Sequence, residues 1–331
     1  MNVTKEHIRH LTTELPRDRT VRGAIALSIG LAVAMLIGGP GTPLLVVGAL
    51  CSINSDSDAS ANTRLSRVLA VMAGGTFGVV LGTVAHTPNA WQVAVVALGG
   101  LIAGVIGTKG AAGLLGGLKL QILLSIGISL HGVLPLWETV ALYLLGCTPM
   151  LVMALAHPSR ELPVASAWRP DWKRALGLAA CVGLASAVAV TIHPAHSWWL
   201  PLTAGLVYRV NENRVVYRVL HRMSGTVIGV AVTALIVGFV PYGWPLLLVA
   251  AVVGALLPGW TDHAYLLQTM LATICVLALA SPGGGGLIEV RLLDTAIACG
   301  IVLAFGVALA SAGAARSALR PRSGPATRLV S

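Results

Sequence analysis

The sequence predicts an all-α membrane protein with about twelve transmembrane helices, arranged as two parallel six-helix repeats. The first observation is composition: 56% of the 331 residues are hydrophobic and only 10% are charged, which is more apolar than a soluble domain requires. The second is that charge is confined to short clusters, and the apolar stretches between them are long enough to cross about 30 Å of hydrocarbon as helices. The third is a residue spacing that recurs in both halves of the chain.

That spacing joins an arginine to a Gly-Thr pair. Arg64 lies eleven residues before Gly75, and Arg214 lies eleven residues before Gly225. The two sets are 150 positions apart, close to half of the chain, and self-similarity at a fixed period indicates a repeated structural unit. Because small residues let helix backbones approach closely in lipid, we expect helix packing at these positions. The expected packing residues are Gly75, Thr76, Gly78, Gly225, Thr226 and Gly229.

Apolar segments define the predicted domains. We expect an N-terminal cytoplasmic segment (1–20), a first six-helix membrane repeat (21–156), a cytoplasmic linker (157–173), a second repeat (174–312) and a basic, disordered tail (313–331). The second segment of each repeat, 42–53 and 197–208, is short. Such a segment fits a tilted, broken or partly re-entrant helix, which is tolerated only where it lines protein or water.

The distribution of arginine and lysine predicts the orientation. The net charge is +10, which in a soluble protein would suggest nucleic acid, but here the basic residues lie in alternate loops between apolar segments. With the N-terminus inside, those loops are cytoplasmic. We therefore expect a multi-pass plasma-membrane protein with both termini in the cytoplasm. Its expected partner is the lipid bilayer and not nucleic acid, and the sequence leaves open whether the protein forms a homo-oligomer.

Cysteine and histidine patterns argue against a metal or a cofactor. The five cysteines are scattered singly in apolar runs without a CxxC motif, which is typical of small packing residues. His193 and His196 have a metal-like spacing, but no further ligand is near them. The four glycines at 283–286 lack the Gly-Lys-Ser/Thr of a phosphate-binding loop. We expect no cofactor, no metal and no enzymatic activity, because no nucleophile with a base stands out.

These motifs resemble a known membrane family. A Trp-rich short segment (HSWWLPLTA), an arginine hinge and a Gly-Thr step, followed by RLLDTAIACG at 291–300, are similar to fusaric acid resistance protein-like and aromatic acid exporter proteins. In the first half, WETVALYLLG at 137–146 has an acid-threonine pair at the place that corresponds to RLLDTAIACG, but the first half lacks the tryptophan pair. The resemblance covers most of residues 20–312. It implies a secondary transporter that exports organic, including aromatic, acid anions. The family is also distantly similar to plant malate-activated anion channels.

Basic residues are the main substrate-binding candidates. A weak-acid anion needs a positive, partly desolvated site, and guanidinium pairs well with carboxylate. Arginines four apart line one helical face, and a lysine at membrane depth is a functional-site hypothesis. The alternatives are that the arginines set topology and contact lipid phosphate, and that the lysine extends to the interface. The candidates are Arg64, Arg67, Arg214, Arg218, Arg222 and Lys119.

Three uncharged residues and two acids complete the candidates. Trp198 and Trp199, with Thr203, would bind the substrate, although tryptophans are also interfacial anchors. Glu138 and Asp294 precede threonines near the start of the last helix of each half. They would couple protons to transport, or simply stabilise a first helical turn through the helix dipole.

The sequence leaves more than one function open. The leading hypothesis is an exporter of organic acid anions, driven by the proton or charge gradient. The alternative is a passive organic-anion channel on the same scaffold, which the scarcity of buried carboxylates favours. A membrane scaffold or lipid-modifying enzyme is a weaker third hypothesis.

Overall fold

The computed structural model describes residues 17–55, 61–156, 168–192, 196–208, 215–241, 243–260, 265–280 and 287–318, and these ranges contain twelve α-helices and no strand. The prediction of an all-α fold is confirmed. Eight of these helices are long and apolar enough to cross a membrane, so the chain is a multi-pass membrane protein. In chain order the helices are α1 (Arg17–Ile37), α2 (Thr42–Ile53), α3 (Ala61–Val84), α4 (Ala90–Gly107), α5 (Gly110–Leu130), α6 (Leu136–Ala156), α7 (Trp172–Ile192), α8 (Trp199–Val207), α9 (Val215–Phe239), α10 (Trp244–Trp260), α11 (Tyr265–Ala280) and α12 (Leu287–Ala318).

Helix lengths differ from the expected segments at the C-terminal end. The short second segments are present as α2, with 12 residues, and α8, with 9. α12 begins at Leu287, four residues before Arg291, near which the last apolar segment is expected to begin, and it has 32 residues. It therefore extends six residues into the segment predicted as a disordered tail. The rest of that tail and most of the predicted linker lie outside the described residues.

The same helix contacts occur in both halves of the chain. In the first half α3 packs against α5 and α6, α4 packs against α5, and the short α2 packs against α1 and α6. In the second half α9 packs against α11 and α12, α10 packs against α11, and the short α8 packs against α7 and α12. Each of these first-half contacts therefore has a counterpart six helices later.

Glycines bring the most closely packed helices together. A Cβ added to Gly78 of α3 would lie 2.4 Å from the Leu120 carbonyl oxygen of α5, so only glycine fits this contact. On α9, a Cβ at Gly225 would lie 2.6 Å from the Leu266 oxygen of α11. Because lipid offers no hydrophobic drive between helices, such close backbone approach supplies packing energy instead. Of the glycines predicted to pack helices, Gly78 lies at the α3–α5 contact, Gly225 and Gly229 lie at the α9–α11 contact, and Gly75 lies against Tyr143 of α6.

The two halves meet along two main interfaces. α4 packs against α7, and α10 packs against α1. At the first, a Cβ on Gly104 would lie 2.6 Å from the Ala175 Cα. At the second, a Cβ on Gly254 would lie 3.4 Å from the Leu27 Cδ1 of α1 and 2.3 Å from the Leu50 Cδ2 of the adjoining α2. Two apolar clusters fill the interior, and each contains residues from both halves. The short helix α8 also contacts α5, which places it where the halves join.

Candidate functional site

The short helix α8 is held at its start and is almost entirely buried. Residues Trp199 to Gly205 are all buried, and so is Val207. Just before the helix, the Gln92 Nε2 atom of α4 donates a hydrogen bond of 3.0 Å to Ser197 Oγ. Nine residues extend about 14 Å, far less than the hydrocarbon thickness, so the ends of α8 need polar partners from the protein.

Arg218 of α9 supplies that partner at the end of α8. Its Nε donates to the Val207 carbonyl oxygen at 3.2 Å, and its Nη2 donates to the Leu206 oxygen at 3.2 Å. The last carbonyls of a helix lack intrahelical donors and carry partial negative charge, so a guanidinium there is favourable. The Arg218 guanidinium also lies 4.3 Å from the centroid of the Tyr265 ring. Arg218 therefore fixes the end of α8 against α9.

Arg291 of α12 holds the other part of α8. Its Nη1 donates a hydrogen bond of 3.1 Å to Thr203 Oγ1, and its guanidinium lies 4.4 Å from the centroid of the Trp199 ring. Trp198 stacks on Trp199 with centroids 3.9 Å apart. The Trp199 ring thus already has two partners and is fully buried. It orients the guanidinium and does not present an open stacking surface.

Two further charged residues complete a group that we call the arginine cluster. The charges of Arg222 and Asp294 both act electrostatically on Arg291, which places the three side chains near one another. Arg222 lies one helical turn after Arg218 on the same face of α9, and Thr226 follows one turn later. The arginine cluster comprises Trp199, Thr203, Arg218, Arg222, Thr226, Arg291 and Asp294, and all seven are buried.

Positive charge is in excess in the protein interior. Among residues whose side chains the structure describes, the buried lysine, arginine, aspartate and glutamate side chains are Lys119, Arg218, Arg222, Arg291 and Asp294. Four are cations and one is a carboxylate. Charges removed from water are costly unless they are paired or hydrogen-bonded, and within a membrane they mark functional positions. An anion entering the arginine cluster would reduce this imbalance.

Several hydrogen-bonding atoms in the arginine cluster have no partner among the described residues. They are Arg222 Nε, Arg291 Nε, Trp199 Nε1 and Thr226 Oγ1. The first three are donors only. Buried polar groups are nearly always hydrogen-bonded, so each unpaired donor needs an explanation. A ligand that carries acceptors, such as a carboxylate, has the matching chemistry.

The other predicted arginines lie elsewhere or outside the described ranges. Arg64 and Arg67 are half-buried in the first turns of α3, and Arg67 Nε has no described partner. Arg214 lies outside the described residues, so its expected equivalence to Arg64 in the repeat stays a prediction. Of the predicted arginine stripe, the structure places Arg218 and Arg222 inside the protein and not against lipid.

Lys119 is buried in α5, apart from the arginine cluster. Its charge acts on Cys51 of α2 and Cys147 of α6, so it lies beside the core of the first half. Its neighbour Gln121 has both amide atoms without a described partner. A Cβ on Gly205 of α8 would lie 2.7 Å from Gln121 Cγ, so the two halves touch there. Gln121 also lines a small cavity of about 80 Å³ between α4, α5, α7 and α8.

The two candidate acids have different positions in their helices. Glu138 is half-buried in the first turn of α6, as expected. Asp294 is not in a first turn, because α12 begins at Leu287 and the carboxylate lies two turns further on. The interpretation that Asp294 only stabilises a helix start is therefore wrong. α12 also begins before Arg291, and this side chain lies inside the protein. Arg291 is a site residue that the sequence analysis does not predict. The signal for it in the sequence is a basic residue within an apolar segment.

Comparisons with known proteins agree with the resemblance found in the sequence. Residues 178–305 match the family described as fusaric acid resistance protein-like, and this range contains the entire arginine cluster. The chain is 31% identical over 132 residues to the inner membrane protein YccS of Escherichia coli (strain K12). The matched part is 39% of this chain but 18% of that protein, so the chain spans less than a fifth of this relative's length. No solved structure matches the chain.

Proposed function

We propose that this membrane protein, whose residues 178–305 match the family described as fusaric acid resistance protein-like, is a secondary transporter that exports organic acid anions, including aromatic ones. The observation that carries this proposal is the set of buried donors in the arginine cluster that have no acceptor among the described residues. A carboxylate supplies two acceptor oxygens and a negative charge, and it suits guanidinium in both charge and geometry.

The substrate carboxylate would lie between Arg222 and Arg291. Arg291 is held by Thr203 and Trp199, so its remaining donor is oriented before the ligand arrives. Such preorganisation raises affinity because less side-chain freedom is lost on binding. Arg218 is engaged with the carbonyls of α8 and would act mainly by its charge. Arg64 and Arg67, half-buried at the start of α3, would attract anions to the cytoplasmic entrance.

Asp294 would link substrate binding to protons. The charge of the Asp294 carboxylate acts on Arg291. A substrate anion in the arginine cluster would compete with this carboxylate for the same positive charge. Protonation of Asp294 would leave those charges to the substrate, and binding would in turn favour the protonated acid by thermodynamic reciprocity. Transport should therefore depend on pH.

The scaffold would consist of two parallel six-helix repeats related by an axis along the membrane normal, with both termini in the cytoplasm. The equivalent helix contacts in the two halves and the 150-residue spacing support this arrangement. Parallel repeats of this kind are common in transporters. An experimental structure with inverted halves, or with termini on opposite sides, would contradict it.

Flux in proteoliposomes tests the proposed function. We expect radiolabelled benzoate to cross only vesicles that contain the protein, with accompanying proton movement reported by a trapped pH-sensitive dye. The Arg291→Met variant should lose most of this flux, whereas Arg174→Met, which alters an exposed arginine paired with Asp171, should keep it.

A passive organic-anion channel is the second candidate. Asp294 is the one buried acid among the described side chains, so few groups are available to couple protons. Benzoate current without proton movement in the same vesicles would identify a channel and reject the coupled exporter.

A further inference from the structure

The first half contains a counterpart of the arginine cluster that lacks its charges. There α2 and α3 pack against α6, as α8 and α9 pack against α12. At the offset of 150 that aligns the two Gly-Thr pairs, Val68 and Met72 occupy the positions of Arg218 and Arg222. Val68 is fully buried in an apolar cluster, and Met72 packs against that cluster. The corresponding surface of α3 therefore offers an anion neither charge nor a hydrogen bond.

The interface between α2 and α6, which we call the first-half seam, is closed by direct contact between the two helix backbones. A Cβ added to Gly48 of α2 would lie 2.3 Å from the Tyr143 carbonyl oxygen, and one added to Gly146 of α6 would lie 2.1 Å from the Leu45 oxygen. The two helix backbones are therefore in direct contact, with no room for side chains between them at these positions.

Polar atoms in the first-half seam are already satisfied. The buried Tyr143 hydroxyl donates a hydrogen bond of 2.8 Å to the Val71 carbonyl oxygen of α3. Cys147 Sγ lies 3.3 Å from the Gly48 oxygen, to which it donates. These bonds join α2, α3 and α6, and they leave neither side chain with an unpaired polar atom. The second half differs, because α8 and α12 meet through the side chains of Thr203, Trp199 and Arg291.

We propose that, beyond its cytoplasmic entrance, the anion path of this protein runs through the second half, along α8 between α9 and α12, and that the first-half seam is closed. The inference rests on the proposed function and adds that the chain has one path despite its two similar halves. Lys119 does not open a second path: its charge lies beside the first-half seam, but the facing seam residues Tyr143 and Cys147 have their hydrogen bonds made. The first half then serves as a scaffold that holds α8 through Gln92 and Gln121.

Two natural cysteines provide a matched test. Cys299 lies twelve residues after the start of α12, and the charges of Arg222 and Arg291 act on it. Cys147 lies at a similar depth in the first-half seam, eleven residues after the start of α6. Both are buried and carry free thiols. The wild-type protein in liposomes is treated with 2-sulfonatoethyl methanethiosulfonate, an anionic thiol reagent, or with its cationic trimethylammonium analogue. Mass spectrometry then identifies the modified cysteines.

We expect the anionic reagent to modify Cys299 about tenfold or more faster than the cationic one, since a positive path concentrates anions. Benzoate should slow this reaction, and Arg222→Met should reduce the preference for the anionic reagent. Cys147 should react only after denaturation, and Lys119→Met should leave benzoate flux close to wild type.

Two results would overturn the inference. One is modification of Cys147 at a rate comparable to Cys299; the other is an unreactive Cys299 in vesicles that transport benzoate. Failure of the proposed function looks different. In that case Cys299 still reacts preferentially with the anionic reagent, but benzoate is neither transported nor protective.

Discussion

The Arg291 guanidinium lies 4.4 Å from the centroid of the Trp199 ring and joins α12 to the short helix α8. A cation over an aromatic face is stabilised by the ring quadrupole, more so when both groups are removed from water, as they are here. Because Arg291 also donates to Thr203, one face of α8 is fixed by a single side chain. This contact sets the geometry on which the following predictions depend.

Replacement of Arg291 should separate charge from shape. Arg291→Lys keeps a cation but loses the planar group that stacks on Trp199 and donates in two directions, so we expect a clear loss of benzoate affinity. Arg291→Met should cost more, about 10- to 100-fold in affinity, since hydrogen bonds to charged groups contribute about 1.5–3 kcal/mol. Benzoate KM in proteoliposomes measures both effects. Equal KM values for wild type and Arg291→Met would remove Arg291 from the binding site.

Trp199 should act through the arginine and not as a stacking platform. Trp199→Phe keeps a ring beneath the guanidinium but loses the indole N–H, and Trp199→Leu loses the ring as well. We therefore expect graded loss of transport, smallest for Phe, and a similar loss for benzoate and for the non-aromatic cyclohexanecarboxylate. A loss restricted to benzoate would instead support direct stacking of the substrate.

Arg222 should matter more than the arginine at the predicted entrance. Arg222 is 4% exposed, whereas Arg64 is only half-buried. Arg222→Met should strongly reduce benzoate flux, and Arg64→Ala should reduce it in part, because screening by salt weakens exposed charges. Flux is normalised to inserted protein and measured at low and high salt. If Arg64→Ala is the more damaging change, the site lies at the entrance and not in the arginine cluster.

Asp294→Asn should flatten the pH dependence of benzoate affinity. The asparagine imitates the protonated acid, so the variant should bind benzoate at every pH as the wild type does when Asp294 is protonated. Measuring KM across the pH range in both proteins provides the check. Glu138→Gln, which alters an acid in the first turn of α6, serves as the comparison. An unchanged pH profile in Asp294→Asn would exclude Asp294 as the proton-linked group.

Gly225 should tolerate no side chain, because its Cβ would lie 2.6 Å from the Leu266 carbonyl oxygen. Gly225→Ala forces α9 and α11 apart, and overpacking of this kind costs about 1–3 kcal/mol. Gly238, on the same helix, has no atom within 4 Å of such a Cβ, so Gly238→Ala should be neutral or slightly stabilising. Thermal unfolding in detergent compares the two. Similar midpoints would show that the α9–α11 contact does not require glycine.

Much of the fold could be predicted from the sequence because lipid leaves few options. A backbone within hydrocarbon must satisfy its own hydrogen bonds, so long apolar runs become helices, and their number and order follow from composition. The short helices α2 and α8 could be predicted in the same way, from the short apolar segments 42–53 and 197–208. The expected start of α12 is four residues too late, although the apolar pair Leu287 and Ile288 already suits a helix.

The candidate site was only half predictable. The arginines of α9 are recognisable by their four-residue spacing, which puts them on one face of the helix. That spacing does not show whether the face contacts lipid or other helices. Only the packing of α9 against α8 and α12 decided it, by placing Arg218 on the carbonyls of α8 and Arg222 near Arg291. Arg218 and Asp294, the charged residues of the cluster furthest apart in sequence, are 76 positions apart, and the charges become one site because three helices close around them. The sequence by itself therefore determined that the chain crosses the membrane as helices, through the hydrophobic length that each segment offers. Tertiary structure alone decided which cations leave water together, because burial depends on the neighbours a helix meets.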